Sequence, residues 1–128
     1  MEEILSKPID DYDEDFTNIK KGYKTYEGRL KSKIKEWNLY VGKQIHFYDQ
    51  HNPNDGVLIE VTKLLIFDNF GEAFDELGSS LKPNKNKRQA INMYNKLFHY
   101  DNELLYDGVT SEMINREEVV AIGFKIIH

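Results

Sequence analysis

The chain has 128 residues, of which 40% are apolar and 30% charged, with a formal net charge of −5 at neutral pH and no cysteine. This composition excludes a fully disordered chain, disulfides, thiolate metal sites and a cysteine nucleophile, and the length suits one domain. Because the sequence has neither a signal peptide nor an apolar run long enough to cross a bilayer, we expect a cytoplasmic protein without a membrane partner.

The charged residues are unevenly distributed. Residues 1–15 carry seven acids and one lysine, residues 20–35 carry seven basic residues and one acid, and residues 82–88 carry four basic residues and no acid. If the two basic stretches meet in space, they form an electropositive patch, which is the usual mark of an anionic partner. The alternative is that each stretch is a solvated loop.

The N-terminal part is predicted to hold a leader and a short helix. Residues 1–12 show no clear period, and we expect an acidic, loosely ordered leader before a single domain over residues 13–128. In residues 13–21, apolar residues recur at helical spacing, acids fill the first turn and lysines fill the last, which predicts a helix that Gly22 ends.

Extended segments dominate the next part of the chain. Residues 23–30 read as a strand, and residues 31–38 fit one or two helical turns with Trp37 on the apolar underside. A strand over residues 41–48 is followed by a turn signal, and we expect residues 51–56 to form the turn of a hairpin. The returning strand, residues 57–67, ends in four consecutive apolar residues, which predicts cover on both faces there.

The remaining elements are mainly helical until a final strand. We predict an acidic helix over residues 70–77, a polar loop over residues 79–87, the longest helix over residues 89–105 and a turn at residues 107–108. Residues 118–127 are apolar at nearly every position, which predicts a central strand. Together these elements predict an α+β fold, in which a small, strongly curved mixed sheet or barrel is flanked by three or four short helices.

One stretch, residues 24–30, concentrates chemically useful side chains. A strand would place its residues on two faces: Thr25, Glu27 and Arg29 on one, and Lys24, Tyr26 and Leu30 on the other. The first face is wholly polar. It either lines a cleft or belongs to a solvated edge strand on which Glu27 pairs with Arg29.

The sequence contains no phosphate loop, no dinucleotide fingerprint and no helical pair of metal-binding histidines, so we predict neither a cofactor nor a metal site. Several rings lie in or near the basic stretch: Tyr23, Tyr26, Trp37, Tyr40 and Tyr48. Rings interleaved with cations suit a nucleobase or single-stranded nucleic acid, because rings stack on bases while cations meet phosphates. The alternative is that most of these rings are core, which we favour for Trp37.

These residues resemble the ASCH domain, a PUA-like family of small β-barrels. The resemblance runs from about residue 13 to the end and rests on these motifs: Gly22-x-Lys24-x-x-Glu27-x-Arg29, Gly42-x-x-Ile45-x-Phe47, the strand Val57–Thr62, and the closing run Val119–Phe124. One departure is Lys43, where the family often has an acid.

The resemblance implies a role in binding RNA or a modified nucleotide. The cleft would be lined by Lys24, Glu27 and Arg29 with Thr25 beside them, while Tyr26 helps to read a base and Lys31 meets phosphates. The predicted partner is therefore RNA, a nucleotide or a nucleoside. We expect a monomer.

Some similar family members are amidohydrolases that remove the acetyl group from N4-acetylcytidine, with a lysine, a threonine three residues later and a more distant glutamate. This chain keeps the lysine as Lys24 but has Glu27 in place of the threonine. The candidates for the distant carboxylate are Glu72, Asp75 and Glu76.

Two assignments of catalytic roles to Lys24 and Glu27 remain open. A neighbouring carboxylate raises the pKa of a lysine unless burial outweighs it, which would keep Lys24 from acting as a nucleophile or base. Glu27 would then be the general base, with Lys24 stabilising the oxyanion. A third, non-catalytic alternative is a protein-interaction module that uses the acidic leader.

Overall fold

The computed structural model describes residues 3–9, 14–101 and 118–128, and for residues 95–101 it describes the backbone alone. Its elements, in chain order, are β1 (Leu5–Ile9), α1 (Asp15–Lys21), β2 (Tyr26–Leu30), α2 (Lys33–Glu36), β3 (Gln44–Asp49), β4 (Asn52–Phe67), α3 (Phe70–Leu77), a 3-10 turn (Gly78–Ser80), α4 (Lys87–Asp101) and β5 (Val119–Ile126). The predicted α+β class with short flanking helices is confirmed.

The five strands form one curled sheet, a half-barrel, in the order β1-β3-β4-β5-β2. β1 runs parallel to β3, and the other neighbours are antiparallel. β5 lies between β4 and β2, as its continuous apolar sequence predicted, and Val119 to Ile122 are at most 2% exposed. β1 and β2 are the two edges of the sheet.

The sheet carries an apolar cluster on each face. The inner cluster is formed by Ile9, Phe16, Ile19, Trp37, Leu39, Ile45, Phe47, Ile59, Val61, Val120, Ile122 and Phe124. The outer cluster lies under α3 and α4 and is formed by Leu30, Phe70, Ala73, Leu81, Tyr94 and Val119. Neighbouring β5 residues alternate between the clusters, because successive side chains of a strand point to opposite faces. Ile45 and Phe47 of β3 are fully buried in the inner cluster, and the prediction of Trp37 in the core is confirmed.

The helices begin and end close to where the sequence predicted. Gly22 ends α1 in a left-handed conformation (φ 81°), with its N–H bonded to the carbonyl of Ile19. Asn69 caps α3 by accepting a hydrogen bond from the N–H of Glu72, and Gly78 follows its last turn. The end of the predicted long helix beyond residue 101 and the turn at residues 107–108 lie outside the described residues. Among the described residues no helix is long and apolar enough to span a membrane.

The prediction of a loosely ordered leader over residues 1–12 is wrong for residues 5–9. These residues form β1, and Ile9 is 2% exposed in the inner cluster. β1 pairs with β3, and Leu5 lies opposite Ile45. A parallel partner that distant in sequence leaves no turn signal beside the strand, so local pattern alone did not show it.

The hairpin is confirmed, but its turn is shorter and earlier than predicted. β3 and β4 are joined at residues 50–51, and the register passes from Tyr48 opposite Gly56 to Asp49 opposite Asn52. The turn-forming residues 53–55 therefore bulge within β4. The predicted cover on both faces at the end of β4 is also wrong, because Phe67 packs on the outer cluster while Ile66, on the opposite face, is 41% exposed.

Candidate functional site

Lys24 is carried into the interior by the turn that ends α1. The N–H groups of Tyr23 and Lys24 both donate to the carbonyl of Asn18, at 3.0 and 3.1 Å, so the chain wraps back on the helix end before β2 begins. This places the Lys24 side chain at 0% exposure. Burying the charged amine of a lysine costs free energy unless the amine has a charged partner and hydrogen bonds.

Lys24 was predicted to lie on the face opposite Glu27, and this is wrong. Its Nζ lies 4.0 Å from Oε1 of Glu27, whose side chain is 4% exposed. The reason is that β2 begins only at Tyr26, so strand alternation does not extend to Lys24. The resemblance placed both residues at one site, and the structure brings their side chains together in the interior.

Glu27 and Arg29 form a tight ion pair on the inner side of β2. Nη1 of Arg29 donates to Oε1 of Glu27 at 2.7 Å and to the carbonyl of Gly28 at 2.8 Å. In the sheet, Glu27 lies opposite Ile122 and Arg29 opposite Val120, both of the inner cluster. The other carboxylate oxygen, Oε2, is buried and accepts no hydrogen bond from any described residue.

The segment after α3 encloses Lys24 from the other side. Nζ of Lys24 donates to the carbonyl of Leu81, and the N–H of Thr25 donates to the carbonyl of Ser80 at 2.9 Å. Lys82 then reaches Oδ2 of Asp15 at 2.7 Å, with the two side chains 6% and 17% exposed. The two basic stretches therefore meet here, and a carboxylate from α1 joins them.

The surroundings in the cluster shift the pKa values of its two central groups, Lys24 and Glu27, for different reasons. Burial lowers the pKa of Lys24, and it outweighs the opposing effect of Glu27 and Asp15. Burial alone would raise the pKa of Glu27, but Arg29 and Lys24 outweigh it and hold that pKa below its ordinary value. The arrangement therefore keeps the carboxylate ionised while it enlarges the neutral fraction of the amine.

Tyr94 of α4 is a further member of the cluster, although the sequence analysis singled out no residue of this predicted helix. Its ring stacks on Phe70 with centroids 4.1 Å apart, and Nζ of Lys82 lies 5.3 Å from the centre of the Tyr94 ring. Burial and the nearby charge of Glu27 raise the pKa of the phenol. A Cβ on Gly28 would lie 2.9 Å from the hydroxyl, so Gly28 leaves the space that Tyr94 fills.

The other predicted site residues lie outside this cluster. Tyr26 packs against the outer cluster, with its ring next to Gly123. Lys31 is exposed and pairs with Glu118 at 3.1 Å. Thr25 contributes its backbone, which joins Ser80 and Phe124. The structure thus brings together Lys24, Glu27 and Arg29 of the predicted set.

The candidates for a distant catalytic carboxylate are exposed residues of α3: Glu72, Asp75 and Glu76. Asp75 pairs with Lys87 at 2.8 Å on the surface. The carboxylate that the structure brings to the cluster is Asp15, which the sequence places among the acids of the first helical turn. No signal near Asp15 in the sequence indicated this, because its partner Lys82 is distant along the chain.

Most cations of the two basic stretches have carboxylate partners. The paired ones are Lys20, Lys24, Arg29, Lys31, Lys33, Lys82 and Lys87. No group of three or more histidines or acids that would hold a metal lies among the described residues. Across β5, the exposed Ile66 of β4 and Arg29 of β2 both lie opposite Val120.

No protein-family model matches this sequence, and no curated protein matches it. The chain is similar to several solved structures. The crystal structure of an ASCH domain from Lactobacillus crispatus is 14% identical with a TM-score of 0.68, covering 95% of this chain and 79% of its own. The hypothetical protein PH0355 is 21% identical with a TM-score of 0.67, covering 96% and 100%.

The third structure, protein PF0455 from Pyrococcus furiosus, was determined in solution. It is 22% identical with a TM-score of 0.62, covering 97% of this chain and 99% of its own. At these identities the likeness establishes a shared fold. The ASCH resemblance inferred from the sequence is confirmed at that level.

Proposed function

We propose that the cluster of Lys24, Glu27 and Arg29 binds a nucleobase of RNA or of a nucleotide. The observation that carries this proposal is the buried Oε2 of Glu27, an ionised acceptor without a partner among the described residues. Leaving such an atom unsatisfied costs about 1 to 3 kcal/mol, more when it is charged. A ligand that supplies an N–H removes this cost.

The chemistry of the acceptor selects among bases. A carboxylate accepts a hydrogen bond from the exocyclic amine of cytosine, whereas uracil presents a carbonyl oxygen at the same position. Glu27 therefore favours a base with an amine. Arg29, whose side chain is 15% exposed, holds the carboxylate in place through Oε1 and leaves Oε2 for the ligand.

The test is fluorescence anisotropy of two labelled oligonucleotides of equal length, oligocytidylate and oligouridylate. We expect tighter binding of oligocytidylate by about tenfold, the effect of one hydrogen bond to a charged group. Glu27→Gln should abolish the preference, because an amide serves as donor or acceptor. Equal affinity of the unmodified protein for both oligonucleotides would contradict the proposal.

A second candidate function, hydrolysis of an acylated nucleoside amine, is favoured by the lowered pKa of Lys24. The neutral amine of Lys24 would take a proton from water as the water attacks the acyl carbon. The carbon–nitrogen bond then breaks, and the proton passes to the departing amine nitrogen. The ionised Glu27, 4.0 Å away, stabilises the ammonium that forms in between.

This candidate is tested by incubation with N4-acetylcytidine and chromatographic detection of acetate. Lys24→Met should lower the rate at least about 100-fold, the contribution of a positioned acid–base group. Lys63→Met, at an exposed lysine of β4, is the matched control and should retain the rate. If the unmodified protein releases no acetate, the cluster is a binding site without this activity.

A further inference from the structure

A lysine occupies the inner face of an edge strand. In β1, Leu5, Lys7 and Ile9 share one face, and Leu5 and Ile9 pack with the inner cluster. Lys7 lies opposite Phe47, which is fully buried in that cluster. The alternation of the strand predicts an apolar side chain at this position. A cation there is costly unless it has an interaction partner.

The partner surface is the indole of Trp37. Nζ of Lys7 lies 5.0 Å from the ring centre, Cζ of Arg29 lies 5.7 Å from it and Nζ of Lys33 lies 5.7 Å from it. Lys7 belongs to one edge of the sheet and Arg29 to the other. The curl of the half-barrel therefore brings cations from its two edges and from α2 to one ring.

The charges at this ring are incompletely balanced. Arg29 pairs with Glu27 at 2.7 Å and Lys33 pairs with Glu36 at 3.0 Å. No carboxylate among the described residues lies within ion-pair distance of Lys7. Trp37 is 7% exposed, and its Nε1 is buried without a hydrogen-bond acceptor in the described parts of the chain.

All four groups at this ring, three cations and the indole N–H, donate hydrogen bonds and none accepts them. We propose that they form a subsite for a phosphate group at the seam between β1 and β2, adjacent to the base site through Arg29. A phosphate offers several charged acceptor oxygens, which such a set of donors requires. This inference rests on the proposed function, since the phosphate belongs to the nucleotide whose base meets Glu27.

The chain has a single tryptophan, so the fluorescence of Trp37 reports on this subsite directly. The experiment titrates cytidine, cytidine 5′-monophosphate, oligocytidylate and inorganic phosphate into the unmodified protein, Lys7→Met and the control Lys63→Met. We expect the monophosphate to bind about tenfold more tightly than cytidine, as one charge-assisted contact provides. Lys7→Met should remove most of that difference and change cytidine affinity much less.

The outcomes separate the subsite from the base site. Equal affinity for cytidine and its monophosphate overturns the subsite and leaves the base site standing, whereas no binding of any cytidine ligand removes both. An equal loss in Lys7→Met and Lys63→Met also overturns the subsite, because general attraction of anions would then explain the preference. Tighter binding of oligocytidylate than of the monophosphate supports the subsite and identifies its phosphate as a diester of RNA; the reverse order identifies a free nucleotide.

Discussion

Two ion pairs in this molecule share one contact geometry in opposite surroundings. Arg29 and Glu27 meet at 2.7 Å with side chains 15% and 4% exposed, whereas Lys87 and Asp75 meet at 2.8 Å with side chains 50% and 58% exposed. A solvent-exposed ion pair contributes little to the stability of the folded protein. A buried ion pair carries a desolvation cost, and removing one partner strongly destabilises the protein because the other charge is left buried and unpaired. The two pairs are therefore distinguished by the burial of their charges and not by their contact distances.

The largest expected effect separates these two pairs by removing one cation from each. Arg29→Met should lower the free energy of unfolding by about 3 kcal/mol, because it leaves the buried Glu27 carboxylate without its closest cation. Lys87→Met should lower it by less than about 1 kcal/mol. Urea unfolding followed by circular dichroism measures both. Equal losses would show that the buried pair is no different from the surface pair.

The second effect concerns the packing that holds the buried region together. Gly28→Ala should cost about 2 kcal/mol, because the added methyl group overpacks a fully buried ring. The Tyr94 hydroxyl lies 2.9 Å from the new Cβ position and Cζ lies 3.0 Å from it. In a Tyr94→Phe background the cost should fall, and a cost that stays the same would locate the strain elsewhere.

The third effect is a pH dependence that only the buried cluster should show. Because the pKa of Lys24 is lowered from 10.5 in the folded protein, the unfolded chain binds more protons between the folded-state value and 10.5. Stability should therefore rise with pH across that window, by about 1.4 kcal/mol per pH unit where Lys24 is neutral only in the folded state.

Lys24→Met should lose this rise, and Lys63→Met should keep it. The free energy of unfolding is compared from neutral pH to about pH 9, one unit below the ordinary tyrosine pKa of about 10, where few tyrosines of the unfolded chain are ionised. The difference between each variant and the unmodified protein isolates the lysine. If the difference in free energy of unfolding between the unmodified protein and Lys24→Met does not change with pH, the pKa of Lys24 is not lowered.

The smallest effect is expected at Lys31, a predicted site residue that the structure pairs with Glu118 on the surface. The two side chains are 49% and 46% exposed. Lys31→Met should change the free energy of unfolding by less than about 0.5 kcal/mol, and the change should vanish at high salt. A larger, salt-independent change would place Lys31 with the buried cluster.

Elements with a strong local signal were predictable from the sequence. α3 has a capping asparagine at one end and a glycine at the other, and β5 is apolar along its length, so both were found close to their true bounds. β1 was missed because its partner is β3, distant in the chain, and no turn joins them. The inner position of Lys7 was missed with it.

The site was predictable in its motif and unpredictable in its surroundings. Lys24, Glu27 and Arg29 were identified from charge, spacing and resemblance. The position of Lys24 beside Glu27 depends on a backbone hydrogen bond to Asn18 in the preceding helix and on a side-chain hydrogen bond to Leu81 in a distant segment. Contacts of this kind come from tertiary packing, which local sequence patterns do not encode.

The central claim is that the buried carboxylate of Glu27 takes a hydrogen bond from a nucleobase. The most direct measurement is a calorimetric titration of cytidine 5′-monophosphate into the unmodified protein, Glu27→Gln and Glu60→Gln, the last a matched change in the pair of Glu60 with Lys125 at 3.5 Å. We predict that Glu27→Gln weakens binding at least about tenfold while Glu60→Gln binds as the unmodified protein does. Equal affinity in Glu27→Gln and the unmodified protein would contradict the claim.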